Sequence, residues 1–111
     1  GRFDSIINSG GIKLIPEQIE GKLSAIIKQR FFVTGVYDEI LGEKLILIIE
    51  KLVTNRSRSE NNILISLKKL QTLSKFEIPK SVHFLKHFLE TETKKVNRIE
   101  TLKLLNLLTN Q

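Results

Sequence analysis

The sequence predicts an α+β fold: a small sheet of about three strands with helices on both faces, preceded by an N-terminal β-hairpin. Residues 45–49 (LILII) are apolar at every position, which is typical of a strand covered on both faces. Two adjacent glycines separate short apolar segments near the N-terminus, as in a hairpin. Apolar residues recur at helical spacing in three other segments, so strands and helices are expected to share one core.

The N-terminal hairpin is predicted from residues 6–15. The apolar pair at 6–7 and the segment 12–15 flank Gly10 and Gly11, which suit a tight turn. Pro16 should then open a helix, because proline is tolerated in a first helical turn. This helix is expected to run to about residue 29. Its apolar stripe comprises Ile19, Leu23, Ile26 and Ile27.

Two strands are expected next, at residues 31–37 and 45–53, because both are rich in β-branched, aromatic or other apolar residues. The intervening segment, residues 38–44, contains Asp38, Glu39 and Glu43. We interpret these carboxylates as a solvated acidic turn and not as an acid/base pair.

The second half of the chain predicts a helix, a strand, a loop and a helix. Residues 54–62 are polar and charged and are expected to form a surface loop, followed by a helix over 63–75. A third strand is expected at 81–86. Residues 90–97 have no apolar period and should form a loop. The final helix has Ile99, Leu102, Leu105 and Leu108 on one side.

Size and composition bound the class of protein. A chain of 111 residues is about one small domain with one core. It has no cysteine, which excludes disulfides and thiolate metal sites and is compatible with the cytoplasm. The run at 45–49 is too short to cross a bilayer, and nothing at the start resembles a signal peptide, so no membrane span is expected.

The net charge of +6 raises the alternative of a nucleic-acid-binding module. The basic residues are spread from Arg2 to Lys103, however, and the chain has only six phenylalanines and one tyrosine for base stacking. A solvated basic surface is the favoured interpretation. His83 and His87 are four residues apart, but His83 falls in a predicted strand and no third ligand lies near in sequence, so no metal site is predicted.

Three motifs in the chain resemble those of the adenylate-forming superfamily, which contains acyl- and aryl-CoA ligases, peptide-synthetase adenylation domains and luciferases. The first resembles the hinge motif between the large N-terminal and small C-terminal domains. The second resembles a middle hairpin, and the third resembles the catalytic lysine loop of the C-terminal domain. Their residues are Gly1, Arg2, Asp4, Ile7, Gly11, Pro16 and Glu20; then Gly35, Val36, Asp38, Glu39, Gly42 and Glu43; then Thr91, Thr93, Lys95, Val96 and Arg98.

The resemblance implies that residues 1–111 are the mobile C-terminal domain of a longer ligase, with a hinge at about 1–5 and a catalytic loop at 90–98. The N-terminal domain would be its partner in the same enzyme. Such an enzyme activates a carboxylic acid with ATP and Mg²⁺ and then transfers the acyl group to CoA. This chain alone is expected to be inactive. Two further alternatives are an adenylation domain of another subfamily and an interaction domain that kept the fold and lost the chemistry.

The resemblance assigns catalysis to Lys95. An ammonium group can stabilise negative charge that accumulates between the acid and the ATP α-phosphate. The plainer alternative is an exposed lysine in the cluster that includes Lys94 and Arg98. Lys94 stands where the family usually has glycine, which leaves open which of the two lysines is presented.

The resemblance also assigns roles near the N-terminus. Asp4 corresponds to the hinge residue whose backbone torsions change when the domain rotates, and Arg2 corresponds to an arginine that contacts the nucleotide. Gly10 and Gly11 correspond to a loop that faces the pantetheine channel, because glycine allows a backbone to approach a thin ligand. A plain turn is the alternative for Asp4 and for the glycine pair, and a frayed terminus for Arg2. Lys13 is more simply read as a solvated residue than as a phosphate contact.

Overall fold

A computed structural model describes residues 6–105, and the fold is given for that range. The elements follow the predicted order of hairpin, helix, two strands, helix, strand, loop and helix. In chain order they are β1 (Ile7–Ser9), β2 (Ile12–Leu14), α1 (Pro16–Leu23), β3 (Phe31–Asp38), β4 (Gly42–Glu50), α2 (Arg56–Lys68), a 3₁₀ turn (Lys75–Glu77), β5 (Ser81–Leu85) and α3 (Arg98–Leu104). No helix within residues 6–105 is long and apolar enough to cross a bilayer.

Strand β4 is the centre of the single five-stranded sheet. Along one edge it pairs antiparallel with the whole of β3. Along the other edge its residues 46–50 pair in parallel with β5, and Gly42 at its start pairs with Ser9 of β1. The hairpin is therefore hydrogen-bonded to the same sheet as the three strands that the sequence predicted, and the sheet is mixed.

Both faces of β4 are covered, as its uninterrupted apolar run predicts. Leu45, Leu47 and Ile49 face a core shared with helices α1 and α2, whereas Ile46 and Ile48 face a second core that includes Leu102 of α3. All five of these β4 side chains are at most 2% exposed. Helices on both faces of a small sheet confirm the predicted fold class.

Strand β1 lies close to β3 because residue 35 is a glycine. A Cβ atom added to Gly35 would lie 2.9 Å from Cγ2 of Ile7 and 3.1 Å from Oε2 of Glu43. Glu43 also accepts a 2.9 Å hydrogen bond from the N–H of Asn8. The predicted acidic turn is present, and Asp38 stabilises it by accepting hydrogen bonds from the N–H groups of Ile40 and Leu41.

The prediction that residues 54–62 form a loop is wrong, because α2 begins at Arg56. Asn55 is the N-cap, and its side chain accepts a 3.0 Å hydrogen bond from the N–H of Arg58. The first turns carry no apolar stripe because their side chains are exposed or only half-buried; the single fully buried residue of α2 is Leu67. The helix also ends at Lys68, earlier than predicted.

Strand β4 covers Gly42–Glu50 and not the predicted residues 45–53, and the end of α1 and the burial of α3 also differ from the predictions. Helix α1 ends at Leu23 and not near residue 29, since Ser24 caps it: its hydroxyl donates a 2.7 Å hydrogen bond to the carbonyl oxygen of Gly21. Ile27 is still buried, because the chain continues as a turn in which the N–H of Ile27 donates a hydrogen bond to the carbonyl oxygen of Leu23. In α3 the expectation that Ile99 shares the buried side of Leu102 is wrong, because Ile99 is 61% exposed. Leu108 lies outside the described residues.

Candidate functional site

The predicted catalytic loop, residues 90–98, runs from the β5 region to Arg98, the first residue of α3. Glu90 and Val96 form an isolated antiparallel bridge that closes its base. Inside that bridge the N–H of Thr91 donates a 2.7 Å hydrogen bond to the carbonyl of Lys95, and the N–H of Lys94 donates a 3.0 Å bond to the carbonyl of Thr91. The backbone therefore forms a compact, hydrogen-bonded turn.

Threonine side chains complete this turn. The hydroxyl oxygen of Thr91 accepts a 3.3 Å hydrogen bond from the N–H of Lys95 and lies 3.1 Å from the hydroxyl of Thr93. Thr91 thus acts directly on the backbone that carries the lysine, and Thr93 contacts the Thr91 hydroxyl. This gives a physical reason for their spacing, since both hydroxyls are used within the turn.

Lys94 is the one non-glycine residue with a positive φ among residues 6–105, at +68°. This left-handed conformation favours glycine, which is the residue that the resembling motif usually has there. The loop therefore adopts the glycine-type conformation even with lysine present. The register that places Lys95, and not Lys94, at the catalytic position is consistent with this geometry.

The Lys95 side chain is exposed at the end of the turn. Among the described residues its ammonium makes no ion pair or hydrogen bond, whereas its backbone is fixed at both polar groups. A charged group on a fixed backbone with a free side chain can reach a ligand outside this domain. The ammonium is not held in the interior of the fold.

Both ends of the loop are held by polar contacts. At its beginning, Glu90 pairs with Arg30, the residue before β3, at 2.8 Å. At its end the N–H of Asn97 donates a 2.7 Å hydrogen bond to the carbonyl of Leu89, and the Asn97 side chain caps α3. The buried hydroxyl of Thr101 also accepts a hydrogen bond from the N–H of Leu89. The tip is thus the exposed part of an anchored structure.

Arg98, the last residue of the lysine motif, makes contacts within the fold. Its guanidinium lies 3.3 Å from a carboxylate oxygen of Glu20 and 5.2 Å from the ring centre of Phe32. Glu20 in turn accepts a hydrogen bond from the N–H of Val33. The pair connects the hinge-motif helix α1 with the start of α3, so residues of two separate sequence motifs meet here.

The predicted glycine turn forms the tip of the β1–β2 hairpin. Gly10 and Gly11 have φ values of +60° and +86°. The N–H of Gly10 donates a 2.8 Å hydrogen bond to the carbonyl of Leu41, so the tip rests on the β3–β4 turn. A Cβ atom on Gly10 would approach Leu41 at 3.1 Å, whereas one on Gly11 would meet nothing within 4 Å. Gly11 is thus the glycine with an open side.

A cleft of about 180 Å³ opens beside this tip. Phe76, half-exposed, forms one wall, and the ammonium of Lys75 lies 5.2 Å from its ring centre. An aromatic face with lysines suits a heterocyclic base and phosphates. Its lining residues are Ser9, Gly10, Ile12, Leu41, Lys75, Phe76 and Lys80. No local sequence pattern marks Phe76, Lys75 and Lys80, because they join the tip only through tertiary folding.

His83 lies in β5, as predicted, with its Nε2 2.9 Å from the hydroxyl of Ser81. Burial lowers the pKa of His83 from its ordinary value of 6.5; the nearby charge of Glu60 raises this pKa, and those of Lys44 and Arg56 lower it.

Residues 6–105 contain no group of three His, Cys, Asp or Glu side chains arranged to hold a metal ion. Arg2 and Asp4 lie outside the described residues.

The architecture matches solved structures of AMP-forming synthetases. The chain is 32% identical to an acyl-CoA synthetase (AMP-forming)/AMP-acid ligase II-like protein from Dyadobacter fermentans, with a TM-score of 0.80, covering 95% of this chain and 30% of that one. It is 23% identical to a fatty acyl CoA synthetase from Mycobacterium tuberculosis, with a TM-score of 0.74, covering 96% and 21%. It is 22% identical to ATP-bound MatB from Rhodopseudomonas palustris, with a TM-score of 0.72, covering 93% and 20%.

These similarities show that the chain has the fold of the C-terminal domain of acyl-CoA synthetases. It spans less than a third of the length of each of these structures. No protein-family model matches the chain, and a search of curated proteins found no match.

Proposed function

We propose that this chain is the mobile C-terminal domain of an ATP-dependent carboxylate–CoA ligase that works through an acyl-adenylate. The observation that carries the proposal is Lys95: an exposed ammonium on a turn whose backbone is fixed by Thr91. The similarity to AMP-forming synthetases supplies the reaction class. The N-terminal domain of the same enzyme would be the main partner.

In the first half-reaction, a carboxylate oxygen of the acid forms a bond to the α-phosphorus of ATP, and pyrophosphate leaves with the electron pair. Negative charge builds up on the oxygens around the α-phosphorus. The Lys95 ammonium would lie against these oxygens, where a compact cation with three donors stabilises the transition state more than the ground state. Mg²⁺ would accompany ATP on the N-terminal domain, where Arg2 would contact the nucleotide.

In the second half-reaction, the thiol sulfur of CoA attacks the acyl carbon, AMP leaves, and the thiol proton passes to solvent. We propose that rotation at Asp4 exchanges the lysine loop for the hairpin tip between the two steps. Gly10 and Gly11 would then border the pantetheine channel. The cleft with Phe76 and Lys80 lies beside this tip and suits the nucleotide end of CoA.

Within this class we propose 2-succinylbenzoate as the acid, which would place the enzyme in menaquinone biosynthesis in the cytoplasm. The support is the resemblance of residues 7–20 (INSGGIKLIPEQIE) and 91–98 (TETKKVNR) to that subfamily. The domain itself would bind neither nucleic acid nor a membrane. The acid would be selected by a pocket on the N-terminal domain.

The test is acid-dependent release of pyrophosphate by the intact enzyme across a small panel of carboxylic acids that includes 2-succinylbenzoate, followed by assay of the CoA thioester. Release with one acid, and thioester formation only when CoA is added, is the expected result. Release with a different acid would contradict only the narrower assignment. No release with any acid, in an intact protein that binds ATP, would contradict the ligase proposal.

A further inference from the structure

Residues 90–97 of the lysine loop carry four charged side chains, and Glu90 is the one among them that makes an ion pair with the described residues. Its partner is Arg30, whose Nη1 lies 2.8 Å from Oε2 of Glu90. Arg30 stands at the start of β3, 60 positions away in the sequence. The first residue of the loop is thus held by the side chain of the residue that precedes β3.

Arg30 is itself firmly fixed. Its Nε and Nη2 donate hydrogen bonds of 3.2 and 2.8 Å to the two carboxylate oxygens of Glu50, which is the forked geometry that gives a guanidinium a defined orientation. Its carbonyl oxygen accepts a 2.8 Å hydrogen bond from the N–H of Glu50. The guanidinium also lies 5.6 Å from the ring centre of Phe88. Arg30 is therefore fixed to the end of β4, and its guanidinium is directed at the loop.

Glu50 links the same group to the chain segment that enters the loop. Its Oε2 accepts a 2.7 Å hydrogen bond from the N–H of Phe88, two residues before Glu90. The hydrogen bonds from Arg30 are the main reason that the pKa of Glu50 is below its ordinary value, so Glu50 stays ionised at neutral pH. One arginine and two carboxylates therefore hold residues 88–90 against the end of the sheet.

The other tie of this region is looser. At the far end of the loop, Arg98 meets Glu20 at 3.3 Å through one nitrogen, and the Arg98 side chain is 45% exposed against 35% for Arg30. The ion pair at the entry of the loop is therefore the shorter of the two. Because Lys95 is hydrogen-bonded back to Thr91, the residue after Glu90, the position of the entry sets the position of the lysine.

We infer that Arg30 is a positioning residue for Lys95, holding Glu90 so that the ammonium is presented in one orientation during adenylation. This inference rests on the proposed function and extends it to a residue outside all three sequence motifs. Arg30 contacts no reactant and acts through Glu90. A misplacement of the ammonium by about 1 Å weakens its contact with the developing charge, and such errors reduce rates strongly.

The variant that separates positioning from folding is Glu90→Gln in the intact enzyme. This variant removes the negative charge that pairs with Arg30 at the start of the loop, and it leaves the Arg30–Glu50 pair in place. We expect kcat for pyrophosphate release to fall about tenfold with KM for ATP unchanged, whereas transfer from a supplied acyl-adenylate to CoA keeps its rate. The melting temperature should be unchanged. Glu100→Gln, which breaks the exposed Lys103–Glu100 pair, is the matched control and should have no effect.

A second readout does not depend on turnover. Amide hydrogen exchange at Thr91 and Asn97 should be faster in Glu90→Gln than in wild type, with exchange in β5 unchanged. Wild-type rates and exchange in Glu90→Gln, or an equal loss of both half-reactions, would overturn the inference while leaving the ligase proposal intact. A wild-type enzyme that releases no pyrophosphate would instead contradict the ligase proposal, and the positioning role with it.

Discussion

The N–H of Thr91 donates a 2.7 Å hydrogen bond to the carbonyl oxygen of Lys95, and the Thr91 hydroxyl accepts a hydrogen bond from the N–H of Lys95. Both backbone polar groups of the lysine are thus held by one residue. Its side chain remains exposed and without a partner among the described residues. This arrangement fixes the base of a long cationic side chain and leaves its end for a ligand.

The left-handed backbone at Lys94 predicts how this position tolerates substitution. Lys94→Gly should keep full adenylation activity, because glycine adopts a φ of +68° without strain. Lys94→Ile should reduce adenylation, since a β-branched residue in this conformation is strained by roughly 1–2 kcal/mol and would shift the turn. Pyrophosphate release measured for both variants checks this.

Equal rates for Lys94→Gly and Lys94→Ile would contradict the role assigned to the backbone at this position. Comparison of Lys94→Ala with Lys95→Ala tests the register. If Lys94→Ala were the more damaging of the two, the catalytic ammonium would belong to Lys94.

The open side of Gly11 predicts a selective defect in the second half-reaction. Gly11→Leu should slow transfer to CoA and spare pyrophosphate exchange, because a bulky side chain at the tip would obstruct the pantetheine channel. Gly11→Ala is the matched control. It carries the same backbone strain at a φ of +86° but adds only a Cβ atom, which meets no atom within 4 Å. Its effect on transfer should be much smaller. A loss of both half-reactions in Gly11→Leu would contradict the assignment.

His83 predicts a pH dependence of stability. Because burial lowers its pKa in the folded state, the unfolded chain takes up a proton at this position at a higher pH than the folded chain does. The contribution of His83 to stability is full above the unfolded value of about 6.5, and it is lost as the pH falls from there through the folded-state pKa.

Chemical denaturation between pH 8 and pH 5 checks this, on the wild type and on His83→Gln. The variant should lose less stability than the wild type across this range, because glutamine does not titrate. Parallel curves for the wild type and His83→Gln would contradict the prediction.

The sheet and its covered faces could be predicted from the sequence because their signals are local. An apolar residue at every position of 45–49 requires burial on both sides, and the glycine pair at 10–11 requires a tight turn. The start of α2 was missed for the opposite reason. Asn55 caps a helix whose first two turns contribute no apolar side chain to the core, so residues 56–62 have the composition of a loop.

The residues of the candidate site likewise fall into those with a local sequence signal and those without one. Lys95, Thr91 and Thr93 act within one short segment, and the sequence motif therefore identified them together. Arg30 and Glu90 are 60 positions apart, and Phe76 meets the glycine tip only after β2 and the 3₁₀ turn pack together. No local pattern marks such residues, because their roles arise from tertiary contacts. Ile99 was placed on the wrong face because helical periodicity alone does not show which neighbours a helix has.

The most direct test of the account is the separate measurement of both half-reactions in Lys95→Ala of the intact enzyme. Acid-dependent pyrophosphate release should fall about 10²- to 10³-fold, the loss expected when one charge-stabilising donor is removed, with transfer of a supplied acyl-adenylate to CoA unchanged. An unchanged rate of pyrophosphate release, or an equal loss in both steps, would contradict the central claim that Lys95 acts in adenylation.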